Sequence, residues 1–250
     1  MYIGDVHILG YVIIAILGGT VGYFLNWCND RLSEEKSVFS REYFTLKRKK
    51  INYILILLMA AIYVVLLYSF GFDYSFEKNI NLIKYLVLSP MLVSAFVIDY
   101  KLQIIPNRLN LTIFETGLVF AFISGIFINY NVAINMLLGS VIGGGIFLFI
   151  TLIGGLIAGK EAMGFGDVKL MAAMGLYFGA INIVAVSIIA FLLGAVISII
   201  LIISRLRKTN EYIPFGPFIV LAAFIVILVP FDFLLSILLT IFTVGLYNKV

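Results

Sequence analysis

Long apolar runs dominate the chain, and short polar segments separate them. A run of about 20 residues has the length that an α-helix needs to cross the hydrocarbon core of a bilayer. The pattern therefore predicts one membrane-spanning helix in each of the first five runs. These runs cover residues 6–26, 51–70, 82–98, 111–128 and 135–157.

The apolar runs of the C-terminal half are divided less regularly. Residues 168–182 form a run that is short for a crossing, whereas residues 183–204 form one that is long enough. Residues 213–217 open another predicted helix, and Pro230 divides the last apolar stretch because proline interrupts helical hydrogen bonding. We therefore predict an all-α, polytopic membrane helical bundle of about eight or nine transmembrane spans, with no soluble domain.

The composition supports this class of protein. Hydrophobic residues make up 63% of the chain and charged residues only 12%, with a mean hydropathy of +1.15. Soluble domains average about 45–50% apolar and about 25% charged residues. The net charge of +4 is explained by cytoplasmic loops that obey the positive-inside rule. The expected surroundings are a lipid bilayer, and no nucleic-acid partner is expected.

The distribution of basic residues predicts the orientation in the membrane. The polar loop 29–50 is rich in lysine and arginine, which places it in the cytoplasm and the N-terminus outside. Three regions follow: a first transmembrane anchor at 1–28, a short basic cytoplasmic loop at 29–50, and a membrane core at 51–250. By alternation, the polar segments 99–110 and 159–167 also lie on the cytoplasmic side.

Two groups of glycines lie inside predicted spans, where small residues usually mark close helix packing. The chain has one cysteine and one histidine, Cys28 and His7. An intrachain disulfide, a multi-cysteine metal site and a histidine-pair zinc site are therefore excluded. The glycines are Gly18, Gly19 and Gly22 in the first run and Gly139, Gly143, Gly144 and Gly145 in the fifth.

Two aspartates carry the candidate chemistry. Asp99 ends one apolar run and Asp167 precedes another, and an ionisable group at the membrane edge is a functional candidate because it is costly there. The topology places both on the same side. If they meet, they cannot both easily stay ionised, so they share a proton. One then activates water while the other polarises a peptide carbonyl.

Other interpretations of these carboxylates remain open. Asp167 could cap a helix, and Asp99 could form an ion pair with Lys101 or Arg108 in a solvated loop. Glu115 is either a third functional carboxylate or a snorkelling or bundle-facing interface residue, and the second interpretation is favoured. The alternative functions are a proton- or cation-coupled transporter with glycine-broken helices, and a non-catalytic assembly subunit of a pilus or secretion machine.

The motifs around the aspartates resemble those of a known family. Gly164-Phe165-Gly166-Asp167, within residues 161–170, closely resembles the signature of the type IV prepilin peptidases, which are Gly-x-Gly-Asp membrane aspartyl proteases. Asp99 with residues 104–109 looks like their first catalytic motif. Residues 213–217 are similar to the family's C-terminal motif, and residues 22–26 with 31–32 are similar to its N-terminal motif. The four matches come in family order.

The resemblance implies a prepilin leader peptidase of the bacterial plasma (inner) membrane. Such an enzyme cleaves the short basic leader of type IV prepilins or pseudopilins on the cytoplasmic side, and its partners are these substrates. Asp99 and Asp167 would be the catalytic dyad. Glu34, Glu35 and Glu161 are candidate contacts for a basic leader. The residues expected to shape the site are Gly164, Gly166, Lys169, Glu161, Pro106, Pro214, Gly216 and Pro217.

The cofactor expectations depend on one departure from the family pattern. Many members carry four zinc-binding cysteines in the first cytoplasmic loop and also methylate the new N-terminus with S-adenosylmethionine. Here the loop 29–50 contains no cysteine, so no zinc is expected. Proteolysis by two aspartates requires no cofactor. S-adenosylmethionine is implied only if methyl transfer is retained, and the short loop leaves little polar surface to bind such a bulky cofactor.

Overall fold

The computed structural model describes residues 2–3, 6–33, 52–72, 75–158, 163–204 and 213–242. Within these ranges the chain is almost entirely helical, apart from one antiparallel pair of two-residue strands, β1 (Tyr2–Ile3) and β2 (Val6–His7). The helices are α1 (Ile8–Ser33), α2 (Tyr53–Phe70), α3 (Phe76–Leu102), α4 (Asn107–Phe127), α5 (Tyr130–Ala158), α6 (Phe165–Ile203), α7 (Gly216–Leu228) and α8 (Phe231–Phe242).

The predicted all-α membrane class is confirmed. In the part of the chain that is described, six helices, α1 to α6, are long and apolar enough to cross a membrane. The helices α7 and α8 have only 13 and 12 residues. The predicted eight or nine spans are therefore an approximate count that includes these short helices. Helix α1 continues to Ser33, so the start of the predicted polar loop 29–50 is helical, and residues 34–51 lie outside the described ranges.

The first two helices pack backbone to backbone through glycines. A Cβ atom on Gly18 would lie 2.6 Å from the carbonyl oxygen of Met59, and one on Gly22 would lie 2.6 Å from that of Leu55. The partner number falls by four as the glycine number rises by four, so α1 and α2 are antiparallel. The predicted close packing at these two glycines is confirmed, and only a residue without a side chain permits it.

The core of the bundle is the N-terminal half of α6, residues 165–178. Leu170, Met171, Met174 and Leu176 are fully enclosed. This half packs antiparallel to α5, where Gly139 meets Gly175 and Gly143 meets Met171. These contacts, and one between Gly144 and Ala172, confirm the close packing predicted at three of the four glycines of this run. The prediction is wrong for Gly145, where an added Cβ atom would meet nothing within 4 Å.

Helix α6 reverses direction at a single residue. Gly179 has φ of 72° and ψ of 177°, which is outside the helical region. A Cβ atom on Gly143 would lie 2.6 Å from the Met171 carbonyl oxygen and 2.8 Å from Cγ1 of Ile183. In a straight helix, residues 171 and 183 would be about 18 Å apart. The halves 165–178 and 180–203 therefore form a helical hairpin, in agreement with the predicted division of this stretch into two runs.

Helices α3 and α4 flank the N-terminal half of α6. The rings of Tyr85 and Phe178 lie 6.0 Å apart near the hairpin, whereas Asp99 lies at the opposite end of α3, beside the start of α6. Asn110, near the start of α4, contacts Gly166, and Phe120 further along contacts Tyr177. Thus α3 runs against the first half of α6 and α4 runs with it, which brings the polar ends of all three helices to one face.

Candidate active site

Asp99 lies in the last turn of α3 and is almost completely buried, with 4% of its surface exposed. Its Oδ2 accepts a hydrogen bond of 2.9 Å from the backbone N–H of Gly216, the first residue of α7. The first N–H groups of a helix have no partner within it, and the helix dipole favours negative charge there. The start of α7 is therefore suited to hold this carboxylate.

Asp167 is the third residue of α6 and is also 4% exposed. Gly164 is the N-cap residue, and its carbonyl oxygen accepts a hydrogen bond of 3.1 Å from the Asp167 N–H. The carboxylates of Asp167 and Asp99 are near enough to interact electrostatically. The fold thus brings together two carboxylates that are 167 − 99 = 68 positions apart in the sequence, on the one face that the topology predicted.

The segment between α3 and α4 closes over the Gly-x-Gly-Asp turn. Gln103, the C-cap residue that follows α3, adopts the left-handed conformation with φ of 57°. Ile105 then packs on Gly166, where an added Cβ atom would lie 3.3 Å from the Cβ of Ile105. The next residue, Pro106, is the N-cap residue of α4 and is also buried. The glycine at 166 therefore lets this segment approach the turn that carries Asp167.

Two asparagines of α4 were not among the sequence candidates. The buried Asn110 donates from Nδ2 to the Gly166 carbonyl oxygen at 3.0 Å. Asn107 accepts a hydrogen bond of 2.7 Å at Oδ1 from the Lys169 ammonium. Both bonds join α4 to the first two turns of α6. The sequence contains one feature that could have indicated them. The two asparagines of the polar segment 99–110 are three positions apart, so they lie on the same side of a helix.

The structure also gives the position of the other candidates. Pro214 and Pro217 are buried around the start of α7, and the side chain of Lys169 is exposed at the rim. Gly22 packs against α2. Glu115 is exposed on α4. Three acidic candidates, Glu34, Glu35 and Glu161, lie outside the described residues.

Two alternative interpretations of the aspartates do not fit this geometry. Within the described ranges, Asp99 bonds to Gly216 and forms no ion pair with Lys101 or Arg108. Asp167 is not the N-cap of α6, because Gly164 has that position and no side chain caps it. The two carboxylates instead lie close together in a buried setting. Such a pair can transfer protons to and from a bound peptide and a water molecule.

Comparison with known proteins identifies this region. Residues 86–199 match the Type IV leader peptidase family. The chain is 32% identical over 143 residues to a prepilin leader peptidase/N-methyltransferase of Aeromonas salmonicida, covering 57% of this chain and 48% of the relative. It is 33% identical over 171 residues to a protein of the same name from Xanthomonas campestris pv. campestris, covering 68% and 56%. No solved structure matches the chain.

A third relative, from Escherichia coli, is named a type 4 prepilin-like proteins leader peptide-processing enzyme. It is 30% identical over 132 residues, covering 53% of this chain and 46% of the relative. The chain spans about half the length of the curated relatives it matches. The fold and the paired aspartates define a polytopic membrane protein with an acidic site at one face. Residues 86–199, which contain both aspartates, belong to the type IV leader peptidase family.

Proposed function

We propose that this protein is an aspartyl endopeptidase that removes the short basic leader of type IV prepilins or pseudopilins. The observation that carries the proposal is the pair of buried carboxylates, Asp99 and Asp167, inside the segment that matches the leader peptidase family. The names of the relatives specify prepilin processing, which supports the choice of substrate. The proposed location is the bacterial plasma membrane, with the site facing the cytoplasm.

The proposed mechanism uses the two carboxylates as one unit that shares a proton. The ionised member takes a proton from a water molecule, whose oxygen attacks the carbonyl carbon of the scissile bond. The protonated member donates to the carbonyl oxygen, which forms a tetrahedral intermediate. A proton then passes to the amide nitrogen as the bond to carbon breaks, and the products are a carboxylate and a new N-terminal amine. The Gly216 N–H holds Asp99 in place throughout.

The depth of the aspartates supports peptide cleavage over transport. Asp99 lies three residues before the end of α3, and Asp167 lies in the first turn of α6. Transport sites are typically near the bilayer midplane, where discontinuous helices expose their ends. The break in α6 is at Gly179, twelve positions from Asp167, and it is therefore remote from the pair. A site at helix ends suits a peptide whose leader is in water and whose stem is in the membrane.

The cofactor part of the proposal is that proteolysis needs neither zinc nor S-adenosylmethionine, because carboxylates alone can supply both proton transfers. Methyl transfer is named for the relatives, and we do not include it in the proposed activity. A product mass measured with S-adenosylmethionine present decides this point, since an added methyl group is visible in the mass of the new N-terminal peptide.

The decisive experiment compares wild type with Asp99→Asn and Asp167→Asn. The proteins are reconstituted in liposomes with a substrate that has a basic leader and an apolar stem, and the products are analysed by mass spectrometry. Each substitution keeps the shape of the side chain and removes an ionisable carboxyl. We expect each to lower the rate of cleavage by at least about a thousandfold, and the double variant to lose little more, because the two groups act as a unit.

Glu115→Gln is the matched control, since Glu115 is a carboxylate of the same bundle that lies exposed on α4. We expect it to cleave at the wild-type rate. Cleavage by either asparagine variant at the wild-type rate would refute the two-aspartate mechanism. Folded wild-type protein that cuts no substrate across a panel of leaders would refute the peptidase proposal itself.

A further inference from the structure

A polar cavity lies at the end of the bundle opposite the aspartates. Its volume is about 80 Å³, several times the space that one water molecule requires. It lies between the start of α3, the end of α4, the start of α5 and the hairpin of α6. The polar side chains in its wall are Glu77, Asn81, Lys84, Ser124, Asn135 and Tyr177.

The inner wall of the cavity contains a buried lysine. Lys84 is only 8% exposed, although it carries an ammonium group. Its Nζ lies 4.8 Å from the centroid of the Tyr85 ring, and no carboxylate in the described part of the chain forms an ion pair with it. A buried ammonium without a counter-charge is costly, because it has lost its hydration. The cavity is the place from which an anion could supply that charge.

The other groups around the cavity add hydrogen-bond donors. Ser124 is 2% exposed, and its hydroxyl forms no hydrogen bond with the described residues. Asn135 accepts a hydrogen bond of 3.1 Å at Oδ1 from the backbone N–H of Ala180. Its amide nitrogen lies beside Gly179, which is another residue of the cavity wall. An ammonium, a hydroxyl and an amide NH₂ together form a set of donors suited to the oxygens of a phosphate group.

We propose that this cavity binds a phosphate group, with Lys84 as its counter-charge and Ser124 and Asn135 as hydrogen-bond donors. Two sources supply this group, a phospholipid headgroup and the free ion, and both present phosphate oxygens to Lys84. The site lies 15 residues before Asp99 on α3, about 22 Å along the helix, so it is separate from the carboxylate pair. Nothing in the proposed peptidase chemistry requires it.

The exposed Glu77 at the rim of the cavity bears on the source of the phosphate. Its negative charge repels a free phosphate ion, which carries between one and two negative charges near neutral pH. It attracts the ammonium of a phosphatidylethanolamine headgroup, whose phosphodiester carries one charge. The position of the cavity at the ends of membrane helices also agrees with a lipid source. Glu77→Gln is therefore expected to weaken binding of phosphatidylethanolamine and to strengthen binding of inorganic phosphate.

The test measures thermal unfolding of the purified, delipidated full chain in detergent. The probes are inorganic phosphate, with sodium chloride at equal ionic strength as reference, and dihexanoyl phosphatidylethanolamine. We expect a saturable rise in Tm of several degrees with at least one probe, because a ligand that binds only the folded state stabilises it. A rise with phosphate alone assigns the free ion, and a rise with the lipid alone assigns the headgroup.

Lys84→Met keeps most of the side-chain volume and removes the charge, so we expect it to abolish the rise. Lys101→Met is the matched control, since Lys101 is an exposed lysine of the same helix, and it should respond like wild type. If Lys84→Met does not fold, Ser124→Ala decides, with an expected loss of about tenfold in affinity. An unchanged response in Lys84→Met or Ser124→Ala, or no response of wild type to either probe, overturns the proposal.

Discussion

At the scale of single residues, the contact between Asp99 and Gly216 is the most constrained part of the site. A Cβ atom on Gly216 would lie 2.5 Å from Oδ2 and 3.0 Å from Cγ of Asp99. Atoms this close cannot coexist, so any side chain at position 216 must displace the carboxylate. The glycine is needed here for space, because the N–H that holds Asp99 belongs to the same residue.

We therefore predict that Gly216→Ala lowers the cleavage rate by about a hundredfold, the scale expected when a reacting group is misplaced by about 1 Å. The measurement is the initial rate of leader cleavage in liposomes at saturating substrate. The loss should appear mainly in kcat, because the carboxylate moves and the rest of the substrate surface does not.

The control for this prediction is Gly145→Ala in α5, where an added Cβ atom would meet nothing within 4 Å. It should leave both the cleavage rate and Tm close to wild type. A Gly216→Ala variant that cleaves as fast as Gly145→Ala would show that the position of Asp99 does not limit the reaction.

Single residues also show where sequence reasoning succeeds and where it stops. Asp99 and Asp167 are recognisable because each interrupts an apolar run at its edge, and alternation of the spans puts them on one side. Lys84 lies inside the predicted span 82–98, and an ionisable residue within a span is a candidate functional residue. Its burial depends on helices α4, α5 and α6, so the cavity cannot be derived from the local pattern. The same holds for Asn110, whose partner is Gly166.

At the scale of elements, the hairpin of α6 depends on one residue. Gly179 has a positive φ that side chains rarely adopt, and a Cβ atom there would also lie 2.6 Å from Nδ2 of Asn135. Asn135 in turn accepts the N–H of Ala180 and so closes the turn. Backbone conformation and packing both require glycine at this position.

We predict that Gly179→Ala lowers Tm by several degrees, because it combines backbone strain of about 1–3 kcal/mol with a steric clash. Thermal unfolding in detergent measures the change. Gly71→Ala separates the two causes, since Gly71 also has a positive φ, of 65°, but an added Cβ atom there meets nothing within 4 Å.

The expected order of Tm is wild type, then Gly71→Ala, then Gly179→Ala. Equal decreases in Tm in the two variants would mean that the clash with Asn135 adds nothing to the effect of backbone strain. An unchanged Tm in Gly179→Ala would contradict the hairpin geometry.

The elements themselves were predictable to different degrees. The first five helices follow from the apolar runs, although the structure extends most of them by a few residues into polar sequence, as at Ser33 and Leu102. Polar residues can continue a helix beyond the bilayer, and hydropathy does not detect this. The reversal at Gly179 is harder to predict, because a glycine in an apolar run can serve either close packing or a break.

At the scale of the whole molecule, the bundle has two different polar faces. One carries the carboxylates at the ends of α3 and α6, and the other carries the cavity with Lys84. The basic loop 29–50 predicts that the carboxylate face is cytoplasmic. This orientation is required by the proposed cleavage of leaders that remain in the cytoplasm.

We predict that a cysteine introduced at Tyr100, which is 70% exposed beside Asp99, reacts with a membrane-impermeant thiol reagent only in permeabilised cells. A cysteine at Asn131, which is exposed in the first turn of α5, should react in intact cells. Both are made in a Cys28→Ser background, and labelling is read by mass spectrometry. The reverse pattern would place the carboxylates outside and contradict the proposed substrate access.

The bond from Gly216 to Asp99 joins residues that are 117 positions apart. A ribosome adds about 5–20 residues per second, so Gly216 is made on the order of ten seconds after Asp99. During that interval α3 and the first half of α6 can already be in the membrane, while the carboxylate has no backbone donor. The site is therefore incomplete until α7 has been synthesised. A chain released before that point carries both aspartates but lacks the Gly216 N–H that orients Asp99.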